Sequence, residues 1–176
     1  MKKNILLFPF LVFALVLCIF FYLLLIERNP SEIPSQLINK EIPNFKTNYL
    51  LSEKEFISTK VFKKEVMLIN FFATWCKPCR DEHNFIKKLA YNKKIKIVGI
   101  NYKDSSKKTI NWLKELGNPY NAVIEDKKGK IAIDLGVYGI PETFIVDANG
   151  IIIYRHVGPI NNKIYKKIVL ITNNLK

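Results

Sequence analysis

Two cysteines separated by two residues are the feature of this sequence most able to carry chemistry. Cys76 and Cys79 lie in the stretch Trp75–Cys79, which follows the apolar run 66–72 and precedes a segment with helical periodicity. At such a strand-to-helix junction, a dithiol meets the unpaired N–H groups and the partial positive charge of a helix N-terminus, and both favour a thiolate. Because the thiolate is the nucleophile in disulfide exchange, the motif predicts a redox-active pair.

The remaining cysteine content supports a catalytic rather than a structural pair. The third cysteine, Cys18, lies in an apolar N-terminal segment, so none is left for a structural disulfide. Half of a zinc site is the alternative, but no second cysteine pair exists and only His83 and His156 are available to complete a tetrahedral set. We therefore expect no metal and no cofactor beyond the dithiol itself, and we expect His83 to lie on the surface of a helix.

The N-terminal segment has the length and apolar character of a membrane anchor. Residues 5–26 are apolar almost without interruption and carry no charge. At about 1.5 Å per residue this run spans roughly 33 Å, against about 30 Å for the hydrocarbon core of a bilayer. Lys2 and Lys3 precede it, which predicts a cytoplasmic N-terminus (residues 1–4) and an exported remainder. A cleaved signal peptide is the alternative, but the run is longer than a usual signal core and no small-x-small site follows.

The rest of the chain reads as one domain of alternating strands and helices. Residues 27–40 contain Pro and Ser and predict a linker, and residues 41–176 predict the exported domain. The alternation favours an α/β fold, a mixed central sheet flanked by helices on both faces, with the cysteine pair at the carboxyl end of a central strand. The predicted strands are 66–72, 95–100, 121–125, 143–147 and 151–157, and the predicted helices are 80–90, 105–116, 131–135 and 160–171.

The charge of the chain is strongly positive. The formal net charge is +13, and Lys accounts for 25 of the 28 basic residues. Attraction to anionic lipid or to acidic partners is one interpretation. The lysines are spread along the chain without interleaved aromatic residues, which favours the other interpretation, a generally solvated surface. We expect no nucleic-acid partner for an exported domain.

A second motif gives the sequence a family resemblance. Gly139–Phe144 follows the cysteine pair by about sixty residues and precedes a predicted strand. Together with Trp75–Cys79 it resembles the thioredoxin fold. The resemblance implies that Pro141 is a cis-proline facing the dithiol, since a cis bond before proline costs little, and that the backbone of Ile140 pairs with an extended substrate peptide.

Longer runs narrow the resemblance to the CcmG/DsbE family of thiol:disulfide interchange proteins. These runs are residues 101–104, 112–120 and 134–144, and the similarity covers roughly residues 40–170. It implies a membrane-anchored periplasmic oxidoreductase of cytochrome c biogenesis that reduces the haem-attachment disulfide of apocytochrome c or of its thiol-containing carrier. A DsbD/CcdA-type membrane protein would supply its electrons. The alternatives are a general TlpA/ResA-type reductase and an apocytochrome-binding tether with secondary redox activity.

The same resemblance implies roles for the residues of the motif. Cys76 corresponds to the exposed nucleophile, and Cys79 to the thiol that resolves the mixed disulfide. Lys77 would place a cation beside the thiolate, and Pro78 would lie in the first helical turn, where its missing N–H costs little. Trp75 would pack over the dithiol and shape the docking surface.

Two carboxylates are candidates to tune the cysteines. Asn70 takes the place of the buried Asp that cytoplasmic thioredoxins carry, so another group must move protons. Glu142 lies beside Pro141 inside the family motif, and Glu82 lies three residues past Cys79, on a helix face that is either solvent-exposed or turned to the site. A carboxylate at either place would disfavour a second thiolate. The sequence favours Glu142 as the first residue to test.

Overall fold

The described residues of the N-terminal unit form a single helix. The computed structural model describes residues 3–25, 37–52, 54–62, 65–92 and 95–175, and the chain divides into the units Met1–Pro30 and Ser31–Lys176. Helix α1 runs over Lys3–Leu25, and its side chains from residue 8 to residue 23 are all exposed. Within the part of the chain that the structure describes, no helix meets both the length and the apolarity required to cross a bilayer.

The predicted anchor is thus confirmed as a helix but not as a membrane span. The end of the predicted anchor at residue 26, and residues 27–36 of the predicted linker, lie outside the described residues.

The second unit opens with small elements and then builds a five-stranded mixed sheet. Strands β1 (Lys46–Asn48) and β2 (Glu55–Ile57) form an antiparallel hairpin, followed by the short helix α2 (Ser58–Val61). The order in the main sheet is β5-β4-β3-β6-β7; β3, β4 and β5 are mutually parallel, and β6 and β7 are antiparallel to their neighbours. The main strands are β3 (Met67–Phe72), β4 (Lys96–Tyr102), β5 (Ala122–Asp126), β6 (Glu142–Val146) and β7 (Ile152–Val157).

Four helices connect or follow these strands. Helix α3 (Lys77–Lys87) continues into a π-helical turn, Lys88–Asn92. Helices α4 (Ser106–Leu116), α5 (Lys130–Asp134) and α6 (Asn162–Asn174) complete the unit. Each corresponds to a predicted helix with shifted ends, and the predicted α/β fold with a mixed, helix-flanked sheet is confirmed.

The core lies on both faces of the sheet. Successive residues of β3 point to opposite faces, and all six are buried. A strand buried on both sides explains the unbroken apolar run of the sequence. Asn70 is the exception: it is 0% exposed at the centre of β3, on the face that carries α3. The α3 side includes Leu68, Phe72, Ile86, Trp112 and Ile168, and the opposite side includes Phe56, Phe62, Ile69, Phe71 and Leu135.

Candidate active site

The dithiol motif forms the start of helix α3. Cys76 is the N-cap residue, and its Sγ accepts a hydrogen bond from the backbone N–H of Cys79 at 3.1 Å. The two cysteines are disulfide-bonded, with Sγ atoms 1.96 Å apart. Pro78 lies in the first helical turn, where no intrahelical donor is lost. A backbone N–H directed at this sulfur from a helix N-terminus favours its thiolate form.

The turn before β6, the neighbour of β3 in the sheet, lies against the disulfide. The Ile140–Pro141 peptide bond is cis, as the resemblance implies, and the carbonyl oxygen of Ile140 lies 3.7 Å from Cys76 Sγ. Cys76 is only 4% exposed and Cys79 2%. The expectation of an exposed nucleophile is therefore wrong for the disulfide form, because the Ile140 backbone lies against the sulfur.

Trp75 is the exposed member of the motif. Its side chain is 59% exposed, its Nε1–H donates to the carbonyl of Lys103 at 3.4 Å, and its ring centroid is 6.4 Å from that of Tyr102. The indole thus lies against the loop that follows β4. An exposed aromatic ring beside the cysteines suits a docking surface, and its packing over the dithiol stays a prediction.

Asp104 ties that loop to the residues before the cysteines. Its Oδ2 accepts the backbone N–H of Thr74 at 2.6 Å, and its Oδ1 accepts the backbone N–H of Ser105 at 2.7 Å. Partial burial acts to raise the pKa of Asp104, but these hydrogen bonds outweigh it and lower the pKa below the usual value. An ionised acceptor makes strong hydrogen bonds, so Asp104 holds the entry to the motif in place.

Glu82 lies buried behind the disulfide. It is 1% exposed, and it accepts hydrogen bonds from Asn70 Nδ2 at 2.9 Å and from the backbone N–H of Ile160 at 2.8 Å. Burial raises its pKa from 4.5 to about 7, and the two hydrogen bonds oppose this rise. The solvent-exposed alternative for Glu82 is wrong. Cys79 and Glu82 are three residues apart on the helix, a spacing that brings Cβ atoms within about 5–6 Å of each other.

Asn70 connects Glu82 to groups on two other elements. The hydroxyl of Tyr120 donates to Asn70 Oδ1 at 2.8 Å, and Asn70 Nδ2 donates to Thr143 Oγ1 at 3.1 Å. Burial raises the pKa of Tyr120 well above its usual value, and the Glu82 carboxylate adds to this shift. These groups form one buried polar network, in which each side chain has a partner.

Glu142 has different surroundings. It is 0% exposed, and its Oε2 accepts from both Nε and Nη2 of Arg155 at 2.8 Å. Its Oε1 accepts the backbone N–H of Tyr138 at 2.8 Å, and Arg155 also donates to the Gly136 carbonyl at 2.8 Å. Burial raises the pKa of Glu142, against the effect of Arg155 and of these hydrogen bonds. The pair thereby joins β6 and β7 to the loop before Ile140.

Of two other candidate residues, His83 lies differently from what the sequence predicts, whereas the role of Lys77 is untested. His83 is 3% exposed, with Nε2 2.8 Å from the Gly117 carbonyl and its ring 4.5 Å from that of Trp112. Its expected place on the surface is therefore wrong, and burial lowers its pKa. Lys77 is exposed and pairs with Asp81 at 3.0 Å, so its effect on the thiolate stays a prediction. In the described ranges, no three His, Cys, Asp or Glu side chains are grouped to hold a metal ion.

Four residues that organise the site were not predicted from the sequence. Asp104 and Tyr120 lie inside the runs that carry the family resemblance, but no local pattern assigns them a partner. Thr143 also lies inside such a run, residues 134–144, but its partner is 73 residues away. Arg155 did carry a signal: the chain has 25 Lys and only three Arg, and an Arg in an apolar strand indicates a buried carboxylate partner that needs a planar fork.

Comparisons with known proteins agree with this geometry. The Redoxin family matches residues 37–169. The chain is 41% identical over 166 residues to the thiol:disulfide interchange protein DsbE of Vibrio cholerae, covering 93% of this chain and 90% of that protein. It is 40% identical over 173 residues to DsbE of Escherichia coli K12, covering 95% and 92%. A crystal structure of a thioredoxin family thiol:disulfide interchange protein from Chlorobium tepidum TLS superposes with a TM-score of 0.62 at 26% identity, covering 75% of this chain and 94% of that one.

Proposed function

Since the chain belongs to the DsbE family of thiol:disulfide interchange proteins, we propose that it is a periplasmic reductase of cytochrome c assembly. Its substrate in this proposal is the disulfide at the haem-attachment site of apocytochrome c, or that of a thiol-containing carrier. A DsbD/CcdA-type membrane protein returns it to the dithiol form, and no cofactor beyond the dithiol takes part. The observation that carries the redox chemistry is the Cys76–Cys79 pair at the start of α3, with Glu82 buried one turn beyond.

The exchange proceeds in two steps that transfer two electrons. The Cys76 thiolate attacks one sulfur of the substrate disulfide, forms a mixed disulfide and releases the other substrate sulfur as a thiolate. Cys79 then loses its proton and attacks Cys76 Sγ, which breaks the mixed disulfide and releases the second substrate thiolate. The substrate leaves as a dithiol, and the enzyme holds the Cys76–Cys79 disulfide seen in the structure.

Glu82 is suited to accept the Cys79 proton. Its pKa of about 7 lets it change charge at neutral pH. A general base is most effective when its pKa lies near the working pH. In its ionised form it disfavours a thiolate at Cys79. A cysteine pair whose reduced form is stabilised is oxidising. By disfavouring the Cys79 thiolate, ionised Glu82 destabilises the reduced form, and this supports a reducing role.

The surroundings of Cys76 support a peptide substrate. The sulfur is nearly covered, so a substrate must approach along the Ile140 backbone and the exposed Trp75 ring. The half-buried Ile140 is followed by Pro141 and then by β6. A strand-like substrate segment that pairs there would bring its disulfide to Cys76.

Trapping of mixed disulfides tests the proposal. Cys79→Ala removes the resolving thiol, so the substrate should stay bound to Cys76 in cells, where mass spectrometry identifies it. The matched control is the double variant Cys76→Ser/Cys79→Ala, which should bind nothing covalently. Apocytochrome c or its carrier is the expected adduct. A mixture of unrelated envelope proteins, together with normal holocytochrome c in a Cys76→Ser strain, would indicate a general TlpA/ResA-type reductase instead.

A binding role with secondary redox activity predicts a different outcome. In that case the double variant Cys76→Ala/Cys79→Ala would restore holocytochrome c under reducing conditions, and a bulky substitution at Ile140 would not.

Membrane attachment through α1 is part of the proposal. Every described side chain from residue 8 to residue 23 is exposed, and large apolar groups such as Phe10 (70%) and Phe13 (63%) dominate. A helix that is apolar on all sides is typical of a lipid environment. The proposal predicts that the chain stays with the membrane fraction after an alkaline carbonate wash, and that alkaline phosphatase fused after residue 176 is active. Release by the wash or an inactive fusion would refute it.

A further inference from the structure

We propose that Tyr120 is a positioning residue for the exchange reaction, because its hydroxyl holds the Asn70 amide with the NH2 group toward Glu82. The part that concerns turnover rests on the proposed function of Glu82. The orientation of the amide is a property of the folded protein and is tested separately.

The hydrogen bonds around Asn70 define one orientation of its amide. Oδ1 accepts from Tyr120, and Nδ2 donates to Glu82 and to Thr143. An ionised carboxylate only accepts hydrogen bonds, so it requires the NH2 group on its side. If the amide turned over, Asn70 Oδ1 would face the carboxylate, and the buried Tyr120 hydroxyl would lose its acceptor. Each of these changes carries the cost of an unpaired buried polar group.

The packing of the core leaves space for the Tyr120 ring. The ring stacks on Phe72 with centroids 4.8 Å apart and planes at 20°. Gly99 of β4 is the register partner of Asn70 in β3, and a Cβ atom there would lie 2.9 Å from ring atoms of both Phe72 and Tyr120. The missing side chain at this position therefore makes room for the tyrosine to reach the centre of the sheet.

Other titratable groups lie on the surrounding elements, and the Glu82→Gln variant distinguishes the Glu82 signal from theirs. Burial lowers the pKa of His83 on α3 and of His156 on β7, and it raises that of Tyr120. Glu142 lies on the opposite face of the sheet, where it is paired with Arg155. Cys79 belongs to the disulfide. The cations of α3, of the π-helical turn that follows it and of α6 lie at or near the surface: Lys77, Arg80, Lys87, Lys88, Lys163, Lys166 and Lys167.

Without the Tyr120 hydroxyl, the Asn70 amide loses the bond that fixes its orientation. The ionised form of Glu82 then loses a defined donor, whereas the protonated form, which also donates, tolerates either orientation. Tyr120→Phe should therefore raise the pKa of Glu82. The expected shift in the titration midpoint is about one pH unit, the scale of one hydrogen bond to a buried carboxylate.

The test is a carboxyl-carbon NMR titration of the oxidised full chain in detergent micelles, with Glu82→Gln identifying the signal. Tyr91→Phe is the matched control, because it also removes a tyrosine hydroxyl bond, 2.7 Å to the Asn118 carbonyl, and it should leave the midpoint unchanged. Gly99→Ala keeps the Tyr120 hydroxyl but crowds the Tyr120 ring, so it should also raise the Glu82 titration midpoint. If Tyr120→Phe fails to fold, the Gly99→Ala result decides the question. A wild-type midpoint in the folded variants overturns the positioning.

Turnover provides the second readout. The pH profile for resolution of the mixed disulfide should move upward with the Glu82 midpoint in Tyr120→Phe. If the midpoint moves and the profile does not, Tyr120 has no part in the reaction, and the proposed role of Glu82 fails with it. If neither moves while Cys79→Ala still traps its substrate, the inference fails and the proposed function stands.

Discussion

Replacement of Glu82 by glutamine should make the stability of the protein less sensitive to pH. Burial raises the pKa of Glu82 from 4.5 to about 7 in the folded protein, so the folded state keeps a proton at pH values where the unfolded state has released it. Stability from this group is therefore fully present below pH 4.5 and is lost as the pH rises to about 7. The difference in pKa corresponds to about 3 kcal/mol of unfolding free energy, reached above the folded pKa.

Glutamine separates this pH-dependent effect from a constant one. It offers one acceptor oxygen, whereas Glu82 accepts from both Asn70 and the Ile160 backbone, so the variant carries a fixed cost at every pH. The informative quantity is the slope of the stability difference between wild type and variant against pH. From about pH 5 to about pH 8, the stability of the wild type relative to the variant should fall by about 2–3 kcal/mol. The titrations of His83 and His156 are present in both proteins and cancel in this difference.

The assay is urea unfolding of the oxidised full chain in nonionic detergent, followed by tryptophan fluorescence at several pH values. Trp112 is buried and should report the loss of the core. A stability difference that stays constant within about 0.5 kcal/mol over this range would refute the raised pKa, because a pKa of about 7 requires a change of about 2–3 kcal/mol. The proposed proton acceptor for Cys79 would then be lost as well.

Three further substitutions test the rest of the site. Cys79→Ala should stop exchange with a small aromatic disulfide at the mixed disulfide on Cys76, visible as a stable adduct on a non-reducing gel. Asp104→Asn removes the carboxylate charge that accepts the backbone N–H of Thr74. It should lower the free energy of unfolding in urea by about 1–2 kcal/mol and slow the attack on the disulfide. Glu142→Gln leaves the Arg155 charge buried without its counter-charge, and it should lower the unfolding free energy by about 3–5 kcal/mol.

Matched controls make these outcomes specific. Asp81→Asn removes an exposed i,i+4 pair with Lys77 and should change stability by no more than about 0.5 kcal/mol, so an equal loss in Asp104→Asn would contradict its role. The double variant Glu142→Leu/Arg155→Met removes both buried charges and should recover much of the stability that Glu142→Gln loses. A Glu142→Gln protein as stable as the wild type would contradict the buried pair.

The sequence predicted the order of elements from residue 66 to the C-terminus because apolar runs there are long and bounded by turn residues. Residues 46–61 were missed for the opposite reason. β1, β2 and α2 have three, three and four residues, too few to show a period of 2 or 3.6. Contacts with distant residues hold them, such as the hydrogen bond that Thr47 Oγ1 of β1 donates to the Glu125 carbonyl.

The chemistry of the site was predictable where it depends on neighbours in sequence. Cys76, Cys79 and Pro78 act within one helical turn, and their spacing alone predicts a capped, thiolate-favouring helix start. The buried network was not predictable in this way. Asn70 contacts Tyr120 and Thr143 across 50 and 73 residues, and only the pairing of β3 with β6 and the space above Gly99 bring these groups together.

Burial and hydrogen-bond partners give Glu82 and Glu142 different roles, which their positions in the sequence do not distinguish. Glu142 faces the Arg155 guanidinium, which stabilises its ionised form and engages it in holding the loop before Ile140. Burial raises the pKa of both carboxyl groups, but at Glu142 the Arg155 cation opposes the rise. At Glu82 only an amide and a backbone N–H oppose it, and the pKa rises to about 7. A proton acceptor for Cys79 must release its own proton near the working pH, and Glu82 meets this condition. Glu142→Gln should therefore change the unfolding free energy more than the pH profile of exchange, and Glu82→Gln should abolish the inflection of that profile near pH 7.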